Sequence, residues 1–114
     1  MAILQARAVV KVKDGMWDQA LDIAAKQAAD ANTRPGTLAY EMYRDDEGAR
    51  LINIAAYRDA GAWLAHTQSN PFSSAYMATC ELESLEVHGE PTPELLAIIR
   101  SFGTAVVYPA VPHD

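Results

Sequence analysis

The chain is 114 residues long, half of them hydrophobic and 21% charged, the balance of a single globular domain (1–114) rather than a disordered tract. Nine lysines and arginines face fifteen aspartates and glutamates, a net charge of -6, and no basic cluster exists to displace counterions, which excludes a nucleic-acid partner. No apolar run reaches the ~18 residues of a membrane span, which excludes membrane insertion through a helix.

The start, Met1-Ala2-Ile3-Leu4-Gln5-Ala6-Arg7, lacks the basic-then-apolar order of a signal peptide, and the cytoplasm is the expected location. From Ile3 to Lys13 the residues alternate as a strand, with Ala6, Ala8, Val10 and Val12 on one face and Gln5, Arg7, Val9 and Lys11 on the other. Asp14-Gly15 ends it, and Asp14 is a candidate cap for the helix that follows. Trp17, Ala20, Leu21, Ala24, Ala28 and Ala31 draw one apolar stripe along that helix.

After the turn Asn32–Gly36, Thr37–Arg44 alternates again, with Leu38, Tyr40 and Met42 on one side. Asp45-Asp46-Glu47-Gly48 supplies a loop with a glycine suited to positive φ, and Leu51–Arg58 returns as the second arm of a hairpin. Asp59 caps a short helix through Ala60, Trp63, Leu64 and Thr67. Ser69-Asn70-Pro71 breaks it and starts another, with Pro71 in the first helical position and Phe72, Ala75, Tyr76 and Thr79 on one face. Cys80 reads as a small buried hydrophobe at the end of that helix; a reactive thiol needs a lowered pKa, and Glu81 beside it is the wrong charge. Leu82–His88 forms a fourth strand. Thr92-Pro93 opens a last helix with Leu95, Leu96, Ile99 and Phe102 facing one way, Gly103 ends it, and Thr104–Tyr108 is a short fifth strand.

The order is that of an α+β fold, a ferredoxin-like βαββαβ antiparallel sheet of four strands with helices on one face, extended by a C-terminal helix and strand. Helices cover only one side of such a sheet. The third strand is apolar on both, with Ile52, Ile54 and Ala56 opposite Leu51, Asn53, Ala55 and Tyr57. A second copy of the chain is the expected cover, giving a homodimer; a tail folded back over the monomer is the alternative.

Two blocks carry a family resemblance. Pro35-Gly36-Thr37-Leu38-Ala39-Tyr40-Glu41-Met42-Tyr43-Arg44-Asp45 and Tyr57-Arg58-Asp59-Ala60-Gly61-Ala62-Trp63-Leu64-Ala65-His66-Thr67-Gln68-Ser69-Asn70-Pro71-Phe72 resemble the antibiotic biosynthesis monooxygenase family. The likeness runs over about residues 3–90, and residues 91–114 resemble the family's C-terminal extension. It implies a dimeric α+β barrel with a pocket in each subunit between helices and sheet. In some similar members the activity is oxidation of quinols or polycyclic phenols by molecular oxygen, with no metal or flavin. The asparagine and two aromatics of those members correspond to Asn53, Tyr57 and Trp63, with a phenol at Tyr57 where an indole is usual. Haem-degrading relatives use a strand-one asparagine and a later-helix histidine; strand one here has no asparagine and residues 71–80 contain no histidine, so haem is not expected.

An oxygenase without a cofactor must turn its substrate into an anion that reduces oxygen, which needs a base, neutral donors and walls against water. Asn53 and Tyr57, four apart on a strand, point the same way. Asn53 can donate to a phenolate, or can be a buried amide bonded to backbone; Tyr57 can donate or stack, or simply fill the core. His66 is the candidate base, with an ordinary pKa near ~6.5, or else a structural histidine linking two helices. Trp63, Tyr76 and Met77 are candidate substrate-binding residues whose alternative is ordinary packing. His88 and His113 share no metal-ligand spacing with His66, and neither a metal nor a nucleotide is expected. Three functions remain open: a cofactor-independent monooxygenase for a small aromatic substrate, a non-catalytic dimer that binds one, or a proton-transfer isomerase or cyclase.

Overall fold

Alternation along the first strand decides which side of the sheet is covered. In the computed structural model, which describes residues 3–112, strand β1 (Leu4–Val12) buries Leu4, Ala6, Val10 and Val12 and leaves Gln5 and Arg7 exposed. Helix α1 (Trp17–Ala31), strands β2 (Thr37–Asp45) and β3 (Arg50–Tyr57), helices α2 (Ala60–Ser69) and α3 (Ser73–Thr79), strand β4 (Cys80–His88), helix α4 (Pro93–Ser101) and strand β5 (Ala105–Tyr108) follow. Met1 and Ala2, part of the segment read for a leader, and His113 lie outside the described residues.

The sheet order is β2-β3-β1-β4-β5. Its first four strands are antiparallel in the ferredoxin-like arrangement, and β5 joins the free edge of β4 in parallel, so the sheet is mixed and five-stranded rather than four. A parallel return requires a crossover, and α4 provides it. Leu95 and Ile99 of α4 pack with Leu4, Ala6 and Val87 on the helix-bearing face. The tail therefore lengthens the sheet and shelters the face already covered. On the opposite face Tyr43, Ile54, Val106 and Tyr108 remain exposed.

Register brings small side chains together under the helices. Ala6 stands opposite Ala55 and Val87, and Ala8 opposite Asn53 and Leu85. Three packed clusters surround that shallow floor: Val10, Leu51 and Tyr76 with α1; Ala6, Leu85 and Leu95 with α2 and α4; and Tyr40, Ala55 and Tyr57 with Ala31. The end of α1 is tied to β2 by the Asn32 amide, which donates to the carbonyls of Ala28 (2.8 Å) and Tyr40 (2.9 Å). Arg34 clamps α1 to α2 through Asp30 (2.8 Å) and the carbonyl of Ser69 (3.0 Å).

Several local expectations are corrected. Met16, not Asp14, precedes α1, with no side-chain cap. A register shift between Thr37 and Ala39 turns Leu38 out to solvent while Tyr40 and Met42 stay inward. Ala49, not Gly48, takes the left-handed conformation (φ 54°), and the Gly48 N–H donates to Asp45 Oδ1 (3.0 Å). Pro71 lies outside α3, which begins at Ser73 because Asn70 Oδ1 accepts from the Phe72 N–H (3.0 Å) and holds a turn there. Asp59 and Thr92 do cap α2 and α4, accepting from the N–H groups of Ala62 (2.8 Å) and Leu95 (3.4 Å).

Candidate functional site

Where the three clusters meet, the alanine floor leaves a cavity of about 170 Å³ that opens to solvent. Asn53, Tyr57, Trp63, His66, Tyr76 and Met77, the residues nominated from the sequence, all border it. Asn53 and Tyr57 rise from β3, Trp63 and His66 descend from α2, and Tyr76 and Met77 come from α3. Tyr57, His66 and Tyr76 are buried, Asn53 and Trp63 half-buried, and Met77 is mostly at the surface.

The aromatic rings form a connected set. Tyr57 stacks on Trp63, and the His66 imidazole lies between the phenols of Tyr40, 5.1 Å away centroid to centroid, and Tyr57, 6.0 Å away. His66 thus packs against two strands rather than linking two helices, and its buried Nδ1 has no hydrogen-bond partner among the described residues. One amide proton of the half-buried Asn53 is spent on the Glu41 carbonyl (3.2 Å), which leaves a second proton on the same nitrogen.

Burial sets the charge state. It holds the His66 pKa below its ordinary 6.5, with Arg34 adding to the depression and Asp30 opposing it. Burial also pushes the Tyr40 hydroxyl up to about 12 and raises those of Tyr57 and Tyr76 well above the usual tyrosine value. Among the described residues, no Asp, Glu, Lys or Arg borders the cavity. At neutral pH the site is therefore an uncharged aromatic box with an imidazole free to accept a proton.

Cys80, buried at the start of β4 with its thiol donating to the Tyr76 carbonyl (3.2 Å), has its pKa raised by burial and fits the inert role. His88 lies off the cavity, beside Glu86 (3.3 Å) and Tyr108. Among the described residues, no three His, Cys, Asp or Glu side chains assemble as metal ligands.

The cavity also uses residues the sequence did not single out for it. Tyr40 and Met42 were placed only by strand alternation, and Phe102, after α4, brings the C-terminal extension to the rim. Gln27 is buried in the inward face of α1 beside Ile23. It stands three residues after Ala24 and four before Ala31, and that spacing is the signal that marks it.

The family model described as "Antibiotic biosynthesis monooxygenase" matches residues 3–77. No curated protein matches the chain. Among solved structures, the chain is similar to MupZ from Pseudomonas fluorescens (TM-score 0.78, 17% identity, covering 100% of this chain and 94% of that one). It is also similar to SnoaB, a cofactor-independent oxygenase from Streptomyces nogalater (TM-score 0.67, 19% identity, 81% and 96%). Rv0793 from Mycobacterium tuberculosis is a further likeness (TM-score 0.66, 16% identity, 79% and 96%). At these identities the structures establish the fold.

Proposed function

From the premise that the chain belongs to the antibiotic biosynthesis monooxygenase family, we propose that its cavity oxidises a small aromatic quinol or fused-ring phenol with molecular oxygen, without metal or flavin. The observation that supports this reading is the uncharged aromatic lining around the unpartnered imidazole of His66.

In this reading His66 takes the proton whose loss makes the ring electron-rich. The Tyr57 hydroxyl and the remaining Asn53 amide proton donate to the oxygen that bears the charge, in a site where water competes little. Trp63, Tyr76 and Met77 hold the flat ring. The anion passes one electron to oxygen, and the ring radical and superoxide join in a carbon–oxygen bond. The proton held by His66 goes to the resulting peroxide. Loss of water then breaks the oxygen–oxygen bond. The substrate loses two hydrogens and gains one oxygen atom, while the other oxygen leaves with those hydrogens as water.

The working form in this proposal is a homodimer in the cytoplasm, two sheets meeting through the face that carries Tyr43 and Ile54.

The test is oxygen uptake by metal-free protein with a panel of quinols and hydroxyanthrones. Uptake that is lost in Asn53→Ala and His66→Ala supports the oxygenase. The engaged amide of Asn53 favours a second reading, a non-catalytic binder of the same aromatics. Micromolar binding with no uptake across the panel selects it, and proton exchange into bound substrate without uptake selects an isomerase or cyclase.

A further inference from the structure

A hydrogen-bond chain runs from the turn between α2 and α3 to the cavity wall. The backbone N–H of Phe72 donates to Asn70 Oδ1 at 3.0 Å. A backbone N–H can only donate, so this contact fixes which end of the Asn70 amide is oxygen. Asn70 Nδ2 then faces Gln27 and donates to its Oε1 at 2.8 Å. That contact fixes the second amide in turn. The end of Gln27 left over is Nε2, a donor buried without a partner among the described residues.

Gln27 is 3% exposed. A buried donor that nothing satisfies is costly, and native structures rarely keep one without a use. Among the described residues no acceptor meets it, and the empty volume that Gln27 borders is the cavity itself. A small shift of the Gln27 side chain would bring the buried Nε2 to an acceptor bound in that cavity and complete the chain.

We infer that Gln27 reads a carbonyl oxygen on the aromatic ligand, and that Asn70 is a positioning residue that keeps the donor end of the Gln27 amide available to it. The inference rests on the aromatic-cavity reading above, and not on the oxygen chemistry. It narrows the ligand class to ring systems that carry a ketone or quinone carbonyl. A ligand with no acceptor oxygen at that place, such as a plain hydrocarbon ring, leaves Nε2 unpaired and is disfavoured, because a site built to donate rejects an isostere that cannot accept.

The experiment compares 1-tetralone with tetralin, one fused skeleton with and without the carbonyl. Calorimetry gives the ratio of their affinities in the wild-type protein and in Gln27→Met, Gln27→Glu and Asn70→Ala. Taking ratios across variants cancels the difference in hydrophobicity between the two probes, and a purely structural role would move both affinities together. Replacing Gln27 by Met should lower the tetralone preference roughly tenfold, the size of one lost hydrogen bond in a buried site. Gln27→Glu keeps the acceptor for Asn70 and, at alkaline pH where its buried carboxyl is ionised, sets a carboxylate against the carbonyl and should lower the preference at least as far. Asn70→Ala frees the Gln27 amide to turn and should lower it partway. Should Gln27→Met fail to fold, the Gln27→Glu ratio decides. An unchanged ratio with both probes bound overturns the inference alone. Failure of the wild-type protein to bind either probe overturns it together with the cavity reading. A shifted ratio in a protein that takes up no oxygen supports the inference and removes only the oxygenase.

Discussion

The phenol of Tyr57 lies against the indole of Trp63, with ring centroids 5.3 Å apart and planes 20° from parallel. One residue ends β3 and the other sits in the first turns of α2, so the stack sets where that helix lies over the sheet. Tyr57→Phe keeps the stack and removes the hydroxyl. It should leave Tm nearly unchanged and, under the proposed reaction, lower kcat/KM by about a hundredfold, the order seen when one donor to a developing oxyanion is lost. Tyr57→Ala removes the stack as well and should cost about 3–5 kcal/mol of stability. Thermal unfolding and initial-rate measurements on the two variants separate the roles.

Much of this arrangement is legible in the sequence, because it rests on local periodicity. Asn53 and Tyr57 share a face through strand spacing alone, and Asp59 announces the start of the helix that carries Trp63 and His66. What is not legible depends on partners distant in the chain. The parallel pairing of β5 with β4 needs the sheet edge to exist first, and the outward turn of Leu38 follows from a bulge against β3. Gln27 is missed for a different reason. Hydropathy counts it out of the apolar stripe while its position counts it in, and only packing decides between them.

Ala8 forms part of the cavity floor and borders empty space. In a filled core a larger side chain would strain its neighbours, but here it has room. Ala8→Leu should leave Tm equal or higher and weaken binding of aromatic ligands at least about tenfold, since its added methyl groups occupy the ligand's volume. Calorimetric titration alongside thermal unfolding checks both halves. Unaltered affinity would mean that ligands bind elsewhere.

Gly36 lies where the turn before β2 crosses α2. A Cβ at this position would stand 2.2 Å from Ala62 Cβ and 3.3 Å from its Cα. Neither atom is at the end of a flexible chain, so Gly36→Ala must push α2 away from the turn. The expected cost is about 1–3 kcal/mol, read from denaturant midpoints. Ligand affinity should fall with it, because Trp63 and His66 move with their helix. The double variant Gly36→Ala/Ala62→Gly should recover most of both.

Ile54 is 38% exposed on the face opposite the helices, in register with Arg7 of β1 and Glu41 of β2. If two sheets meet there, a lysine at this position is desolvated in the dimer, a cost that the neighbouring Glu41 offsets only in part, and stays solvated in the monomer. Ile54→Lys should shift sedimentation from dimer toward monomer at micromolar concentration, with little change in the far-UV circular dichroism of the subunit. A wild-type protein that sediments as a monomer at high concentration would remove the proposed interface.

His66 offers a test of the site's charge state that needs no substrate. Burial depresses its pKa below the ordinary 6.5, so an unfolded chain accepts the proton at a higher pH than the folded one. Stability is then complete above pH 6.5, falls as the solution is acidified below that value, and levels off once the folded ring is protonated too. The His66→Gln variant lacks this titration. Its denaturant midpoint, set against that of the wild-type protein between about pH 7.5 and 5, should gain on the wild type as pH falls. Under the proposed reaction, kcat/KM should be flat near neutrality and drop in acid through the same depressed pKa, because protonated imidazole cannot serve as base. A constant gap between the two midpoints would mean that the imidazole titrates alike in both states, and the argument from burial would fail.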